Sequence, residues 1–176
     1  FTNNLRAEYN NYIEKHQTSI MTSVNYPNTR NSIGYKVTYD EKTGGRISRP
    51  ENINGNWNAS GMFIFNMAID TTGYWNINTF TNVDYQNRVG YLSLNRNADS
   101  QRNVTKSTSV SERLAMSFRN SWLEVELDGS MDYMHARNNL QPQSNLDTWQ
   151  FAYGGTINLT APWGTSLSTD IHQNSR

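Results

Sequence analysis

From Asn56 to Asp70 apolar and polar residues alternate almost without error. Trp57, Ala59, Gly61, Phe63, Phe65, Met67 and Ile69 fall on one side, Asn56, Asn58, Ser60, Asn66 and Asp70 on the other. The pattern predicts a strand of about fifteen residues. Globular strands usually run ~5–6 residues, whereas a tilted strand crossing a bilayer needs ~9–11. A strand this long implies an environment other than an ordinary soluble core.

The same period-2 template predicts about eight strands: Thr18 to Tyr26, Ser32 to Tyr39, Asn54 to Asp70, Tyr74 to Asn87, Thr108 to Arg119, Trp122 to His135, Asp147 to Thr160 and Thr165 to His172. The expected fold class is all-β, an antiparallel up-and-down meander over residues 18–176 that forms a membrane β-barrel or a segment of one. Residues 1–17, with Leu5, Tyr9, Tyr12 and Ile13, fit a short helix or an additional strand and stay unassigned.

The hairpins supply a register. A two-residue turn at Asn120 and Ser121 would set Phe118 opposite Leu123, Met116 opposite Val125 and Leu114 opposite Leu127, with Ser117 against Glu124 and Arg113 against Asp128. Thr71, Thr72 and Gly73 read as a three-residue loop with Gly in the left-handed position, pairing Ile69 with Trp75 and Met67 with Ile77. Pro162, Trp163 and Gly164 repeat that chemistry, pairing Leu159 with Leu167 and Ile157 with Thr169. Pro27 to Asn31 completes four short connections, which alternate with longer ones around Asp40 to Ile53, Arg88 to Ser107 and Ala136 to Leu146. That alternation is the layout of membrane barrels. All four prolines fall in these predicted turns or loops.

Composition narrows the function classes. Hydrophobic residues make up 35% and charged residues 17%, with fifteen basic against fifteen acidic side chains, so nearly half of the chain is neither, with Asn, Ser, Thr and Gln prominent. Without a basic cluster there is no electrostatic footprint for nucleic acid. The absence of Cys removes disulfides, thiolate chemistry and Cys-based metal sites. The charge-free stretch from Asn52 to Ala68 is broken by Asn and Gly and is no transmembrane helix. Opening at Phe1 without Met or a signal peptide, the chain reads as a mature or excised segment.

On one strand face Glu124, Glu126, Asp128 and Asp132 could serve acid/base or cation chemistry. The plainer expectation is a lumen-facing polar stripe balanced by Arg113 and Arg119. The opposite stripe, Phe63, Phe65, Met67, Leu114, Met116, Phe118, Leu123, Val125 and Leu127, is expected to face lipid. Trp57, Trp75, Trp149 and Trp163, with Trp122 and Tyr26, Tyr74, Tyr85, Tyr133 and Tyr153, cluster towards strand ends as interfacial girdles do; sugar stacking is their rival use. Met62, Ile64 and Phe80 form an apolar island on the polar face. His16, His135 and His172 are too dispersed for metal-ligand spacing. Sequons at Asn58, Asn103 and Asn158 read as chance. With no phosphate loop, nucleophile triad or zinc motif, neither enzymatic activity nor a cofactor is expected.

The chain resembles the C-terminal barrels of Bacteroidetes outer-membrane receptors of the TonB-dependent transporter type. The resemblance rests on Asn52-Ile53-Asn54-Gly55-Asn56-Trp57 leading into Met62-Phe63-Ile64-Phe65, on Thr72-Gly73-Tyr74-Trp75, on the Trp122 to Tyr133 strand and on Leu159-Thr160-Ala161-Pro162-Trp163-Gly164. It covers roughly Thr18 to His172. It implies a cell outer membrane location and an internal fragment of a larger barrel, of about 22 strands in such receptors. The implied partners are outer-membrane lipid, the remainder of the barrel, a plug domain and an energy-coupling protein. The implied activity is uptake of a bulky nutrient that contacts the long loops. A closed eight-stranded barrel, a soluble β-barrel or sandwich binding lipid or sugar, and a structural or adhesion barrel share the same alternation.

Overall fold

A computed structural model describes residues 1–39, 42–43, 45–93 and 100–175. Ten strands are present among them: β1 (Thr2–Ile13), β2 (Thr18–Thr29), β3 (Ser32–Tyr39), β4 (Arg46–Ile53), β5 (Asn56–Ala68), β6 (Trp75–Leu92), β7 (Gln101–Arg119), β8 (Leu123–Asn138), β9 (Leu146–Thr160) and β10 (Ser166–Ser175). Short 3-10 turns occupy Glu14–His16 and Pro142–Ser144. The fold is all-β. Eight strands form one antiparallel meander in the order β1-β2-β5-β6-β7-β8-β9-β10, while β3 and β4 pair only with each other. The sheet is not closed as a barrel: β1 and β10 end the strand order.

The eight strands in the sheet are not the eight expected. Residues 1–17, left unassigned, contribute β1, whose alternation is blurred because Asn11 takes an apolar-side slot and Tyr12 a polar-side one. Strand β3 leaves the sheet, and β2 pairs directly with β5. The turn expected at Pro27 to Asn31 is therefore no hairpin: β2 runs on through Thr29 before the chain departs at Asn31, a non-Gly residue with φ 53°. Its place among the short connections falls to Glu14–Gln17, where Gln17 takes the left-handed cap at φ 45°. Short connections still collect at one end of the sheet and long ones at the other.

Two prolines lie within strands rather than in turns. Pro27 in β2 pairs with Asn4 of β1, and the β2–β5 ladder skips Tyr26 and Pro27, as expected where a ladder donor is missing. Pro50 sits in β4, a strand of a two-stranded hairpin where its absent N–H costs no second ladder. That hairpin is seated where Ile53, 6% exposed, packs beside Gly34; a Cβ on Gly34 would come within 1.8 Å of Ile53 Cδ1. Ser32 Oγ donates to the Ile53 carbonyl at 2.9 Å, and Asn56 Nδ2 donates to Ser32 Oγ at 2.8 Å.

The predicted glycine turns hold. Gly73 and Gly164 have φ of 73° and 90°, Ile69 N donates to the Trp75 carbonyl at 2.9 Å, and Leu159 and Thr169 meet Leu167 and Ile157 as expected. The β7–β8 register is different. Asn120, not Arg119, is the residue that closes the turn, its N–H donating to the Leu123 carbonyl at 2.9 Å while its Oδ1 accepts from Trp122 N at 3.0 Å and Leu123 N at 2.8 Å. Ser121 and Trp122 are then the loop residues, and every partner moves by two: Phe118 faces Val125, Met116 faces Leu127 and Arg113 faces Ser130. A shift of two keeps each side chain on its face.

The sheet has almost no interior. Among the described residues the buried apolar side chains are Ile53, Ala68 and Val89, and no large side chain is fully buried. The accessible surface is 12509 Å², against about 8,700 Å² for a compact monomer of this mass.

Candidate functional site

In an antiparallel ladder, opposed residues share a face, so the pairings sort the sheet into two surfaces. Trp75, Phe118, Val125 and Ile157 form one row; Ile77, Met116, Leu127 and Gly155 form the next. Phe63, Phe65 and Met67 join the same side through Thr81, Thr79 and Ile77. All nine residues of the expected apolar stripe therefore share one surface, and it is uncovered: Phe63 is 39%, Leu114 51% and Leu127 53% exposed. The row partners Leu123, Leu159 and Leu167 continue it to the β10 edge.

Arg113, Glu124, Glu126, Asp128 and Asp132 occupy the other surface, among Asn and Ser. Arg119 Nε donates to Glu124 at 3.0 Å, and Ser111 Oγ to Asp132 at 2.5 Å. The island on this surface is a row of Met21, Ile64 and Phe80, which ends beside Arg113. His135 and His172 stand on opposite surfaces of β8 and β10, and His16 lies in the Glu14–His16 turn. Among the described residues no group of His, Asp and Glu has the arrangement of a metal site.

Among the described residues one charged side chain interrupts the apolar band. Glu112 pairs with Thr81 and Met131, and its two carboxylate oxygens accept from the Thr79 and Thr81 hydroxyls, each at 2.5 Å. Counting by twos from Leu114 would have found it, but the run Ser111-Glu112-Arg113 reads as uniformly polar.

Aromatic rings mark both ends of the apolar surface. Tyr26, Trp57 and Tyr85 cluster at the long-connection end, with ring centroids 5.7 and 4.9 Å apart, and Tyr133 and Trp149 meet tilted at 4.3 Å. Trp75 and Phe118 meet at 4.8 Å at the short-turn end, where Trp163 is 81% exposed in its turn. From ring to opposite end the band covers eleven residues, or ten steps, on β5 (Trp57 to Met67), β6 (Trp75 to Tyr85), β8 (Leu123 to Tyr133) and β9 (Trp149 to Leu159).

These runs do not lie straight across the ladder. Trp57 opposes Asn87, two residues past Tyr85, and Phe118 opposes Val125, two past Leu123, so the band slips four residues from β5 to β9, one per strand. With ~3.3 Å per residue and ~4.8 Å between strands, the band crosses the strands at a slope equivalent to a tilt of about 35°. Ten steps at that tilt span about 27 Å.

Just beyond the band on the same surface, Asp147 accepts from Arg137 and contacts His135 Nδ1, each at 2.5 Å. No protein-family model matches the chain, and no curated protein or solved structure aligns with it significantly. Among the described residues no helix is long and apolar enough to cross a membrane.

Proposed function

We propose that this chain is a segment of outer-membrane β-barrel wall, with the Phe63–Leu127 surface against acyl chains and the Asn/Ser/Glu surface towards a water-filled lumen. The observation that carries this reading is the uncovered apolar band: eleven residues long on four strands, bounded by aromatic rings and inclined at about 35°. A membrane barrel needs an outward apolar zone ~25 Å tall between aromatic girdles on strands tilted ~35–45°, and the band agrees in height, slope and boundary. A soluble sandwich would need a second layer over the same surface, and it has no reason to incline its apolar limits to the strands.

The edges of β1 and β10 supply the partner. In hydrocarbon each backbone N–H and C=O must be paired, so the wall continues into further strands or closes on itself. By its resemblance to TonB-dependent receptors, the whole protein would import a bulky nutrient recognised at the long-connection end, above the β3–β4 hairpin, with a plug domain and an energy-coupling protein as partners.

The test is fractionation of cells expressing the protein, followed by salt, carbonate and detergent extraction. The expected result is retention in the outer membrane until detergent is added. Recovery as a soluble monomer overturns the proposal and favours the soluble lipid- or sugar-binding β fold.

A further inference from the structure

The chain is neutral overall but electrically polarised along its strands. Among the described residues, those of segments 30–55, 86–107 and 136–147, at the long-connection end, carry nine basic side chains against two acidic ones, Glu51 and Asp147, whereas the remaining described residues carry four basic against ten acidic. Part of this excess lies on the apolar surface, directly past the aromatic boundary. There Trp57, Asn87, Lys106 and Arg137 form a single ladder row.

Lys106 and Arg137 are directly opposed, and like charges so placed repel across a strand pair. Arg137 is turned to one side, its guanidinium held by Asp147 and by the Ala136 and Leu146 carbonyls at 3.1 and 3.4 Å. Lys106 is exposed. Between them opens a cavity of about 400 Å³ lined by Val104, Lys106, Arg137, Asn138 and Asn139. The side chain of Arg102 emerges from the same face of β7, four residues further from the band. The two asparagine amides have other duties: Asn138 Nδ2 donates to Thr105 Oγ1 at 2.8 Å, and Asn139 Oδ1 accepts from Val104 N at 2.6 Å. Asn139 lies on the surface of Lys106 and Arg137, whereas the Asn138 amide is turned to the opposite surface with Thr105.

Resting on the membrane-wall reading, we infer that the Lys106–Arg137 cavity holds the phosphate of an anionic lipid headgroup in the adjoining leaflet. The position dictates the occupant: acyl chains would lie along Tyr133, Trp149 and Val125 below it, so the anion that reaches the cavity is one carried at headgroup level. A phosphate gives Lys106 a charge-assisted partner and adds a second to the Arg137 guanidinium that Asp147 holds.

The chain is reconstituted in phosphatidylcholine vesicles, and spin-labelled phosphatidic acid is compared with spin-labelled phosphatidylcholine at the protein surface. The expected result is selection of phosphatidic acid by about fivefold per engaged cation. Lys106→Glu abolishes the selectivity and Lys106→Arg keeps it, with unchanged far-ultraviolet circular dichroism in both. Equal association of the two lipids with the wild-type chain, or selectivity surviving Lys106→Glu, overturns the site. Loss of selectivity on adding millimolar inorganic phosphate also overturns the headgroup assignment, because the cavity then takes a free anion. Absence of any motionally restricted lipid, charged or neutral, overturns the wall reading itself and is distinguishable from failure of the site alone.

Discussion

The Thr79 hydroxyl donates to Glu112 Oε1 at 2.5 Å in the middle of the surface assigned to lipid. With Thr81 on the second oxygen, the carboxylate satisfies itself within the ladder, which is how a polar group persists on an apolar face. Converting both threonines to valine leaves that group without donors and is expected to cost about 1–3 kcal/mol. Glu112→Gln, which removes the charge, is expected to stabilise the vesicle-embedded chain by about 1 kcal/mol, since charged side chains at mid-bilayer depth are penalised. Urea midpoints in vesicles measure both; an unchanged midpoint for Glu112→Gln places this surface in water.

The β7–β8 register makes a prediction that separates two pairings. Arg119 and Glu124 are in contact, 70% and 28% exposed, whereas Arg113 stands opposite Ser130 instead of Asp128. A double-mutant cycle to alanine is expected to give a small favourable coupling for Arg119 with Glu124. The Arg113 and Asp128 cycle should give none, and the reverse result restores the two-residue turn at Asn120 and Ser121.

Asp70 organises the β5–β6 turn. Its Oδ1 accepts from Trp75 N at 2.8 Å, and its Oδ2 accepts from the Thr72 hydroxyl and from Tyr74 N at 3.4 Å. The Thr72 hydrogen bond, followed by that of the Trp75 amide, holds its carboxyl below the usual 3.8. A depressed folded-state pKa means stability that is present above the unfolded value and lost as pH falls through the folded one. The wild-type chain should therefore exceed Asp70→Asn in denaturant midpoint at neutral pH, and the gap should close in acid below 3.8. A gap that stays constant with pH assigns the difference to turn geometry rather than charge.

Gly164 and Gly61 both have open space where a Cβ would go, but only Gly164 has positive φ, at 90°. Gly164→Ala is expected to cost about 1–2 kcal/mol through left-handed strain alone. Gly61→Ala, in an extended strand, should be neutral or stabilising by about 0.5 kcal/mol. Equal effects in thermal unfolding contradict the turn conformation.

Legibility in the sequence followed how local the cause was. The Thr71–Gly73 and Pro162–Gly164 turns were readable because a glycine in the left-handed region at a fixed offset sets the register unaided. The β7–β8 loop lies one residue beyond the expected place and its partners two, because Asn120 caps through its side chain and alternation is blind to a register shift that preserves faces. Strand β4 was hidden by Pro50, a residue that argues against a strand unless its ladder is one-sided. Parity from Leu114 places Glu112 on the apolar surface, but the Thr79 and Thr81 donors that satisfy it there lie more than thirty residues away and only register brings them together.

Alternation by itself determined that the chain is an antiparallel β meander with one greasy and one polar side, because side-chain direction in a strand depends only on parity. Which strands are neighbours was decided by tertiary structure. Nothing local in β2 distinguishes β3 from β5 as its partner; the choice rests on which pairing lines up Ile20 with Phe65 and Val24 with Gly61 across the whole sheet. The incline of the apolar band and the meeting of Lys106 with Arg137 belong to the same level. Both are properties of register between strands, and register is a sum over long-range pairs that no single stretch of sequence contains.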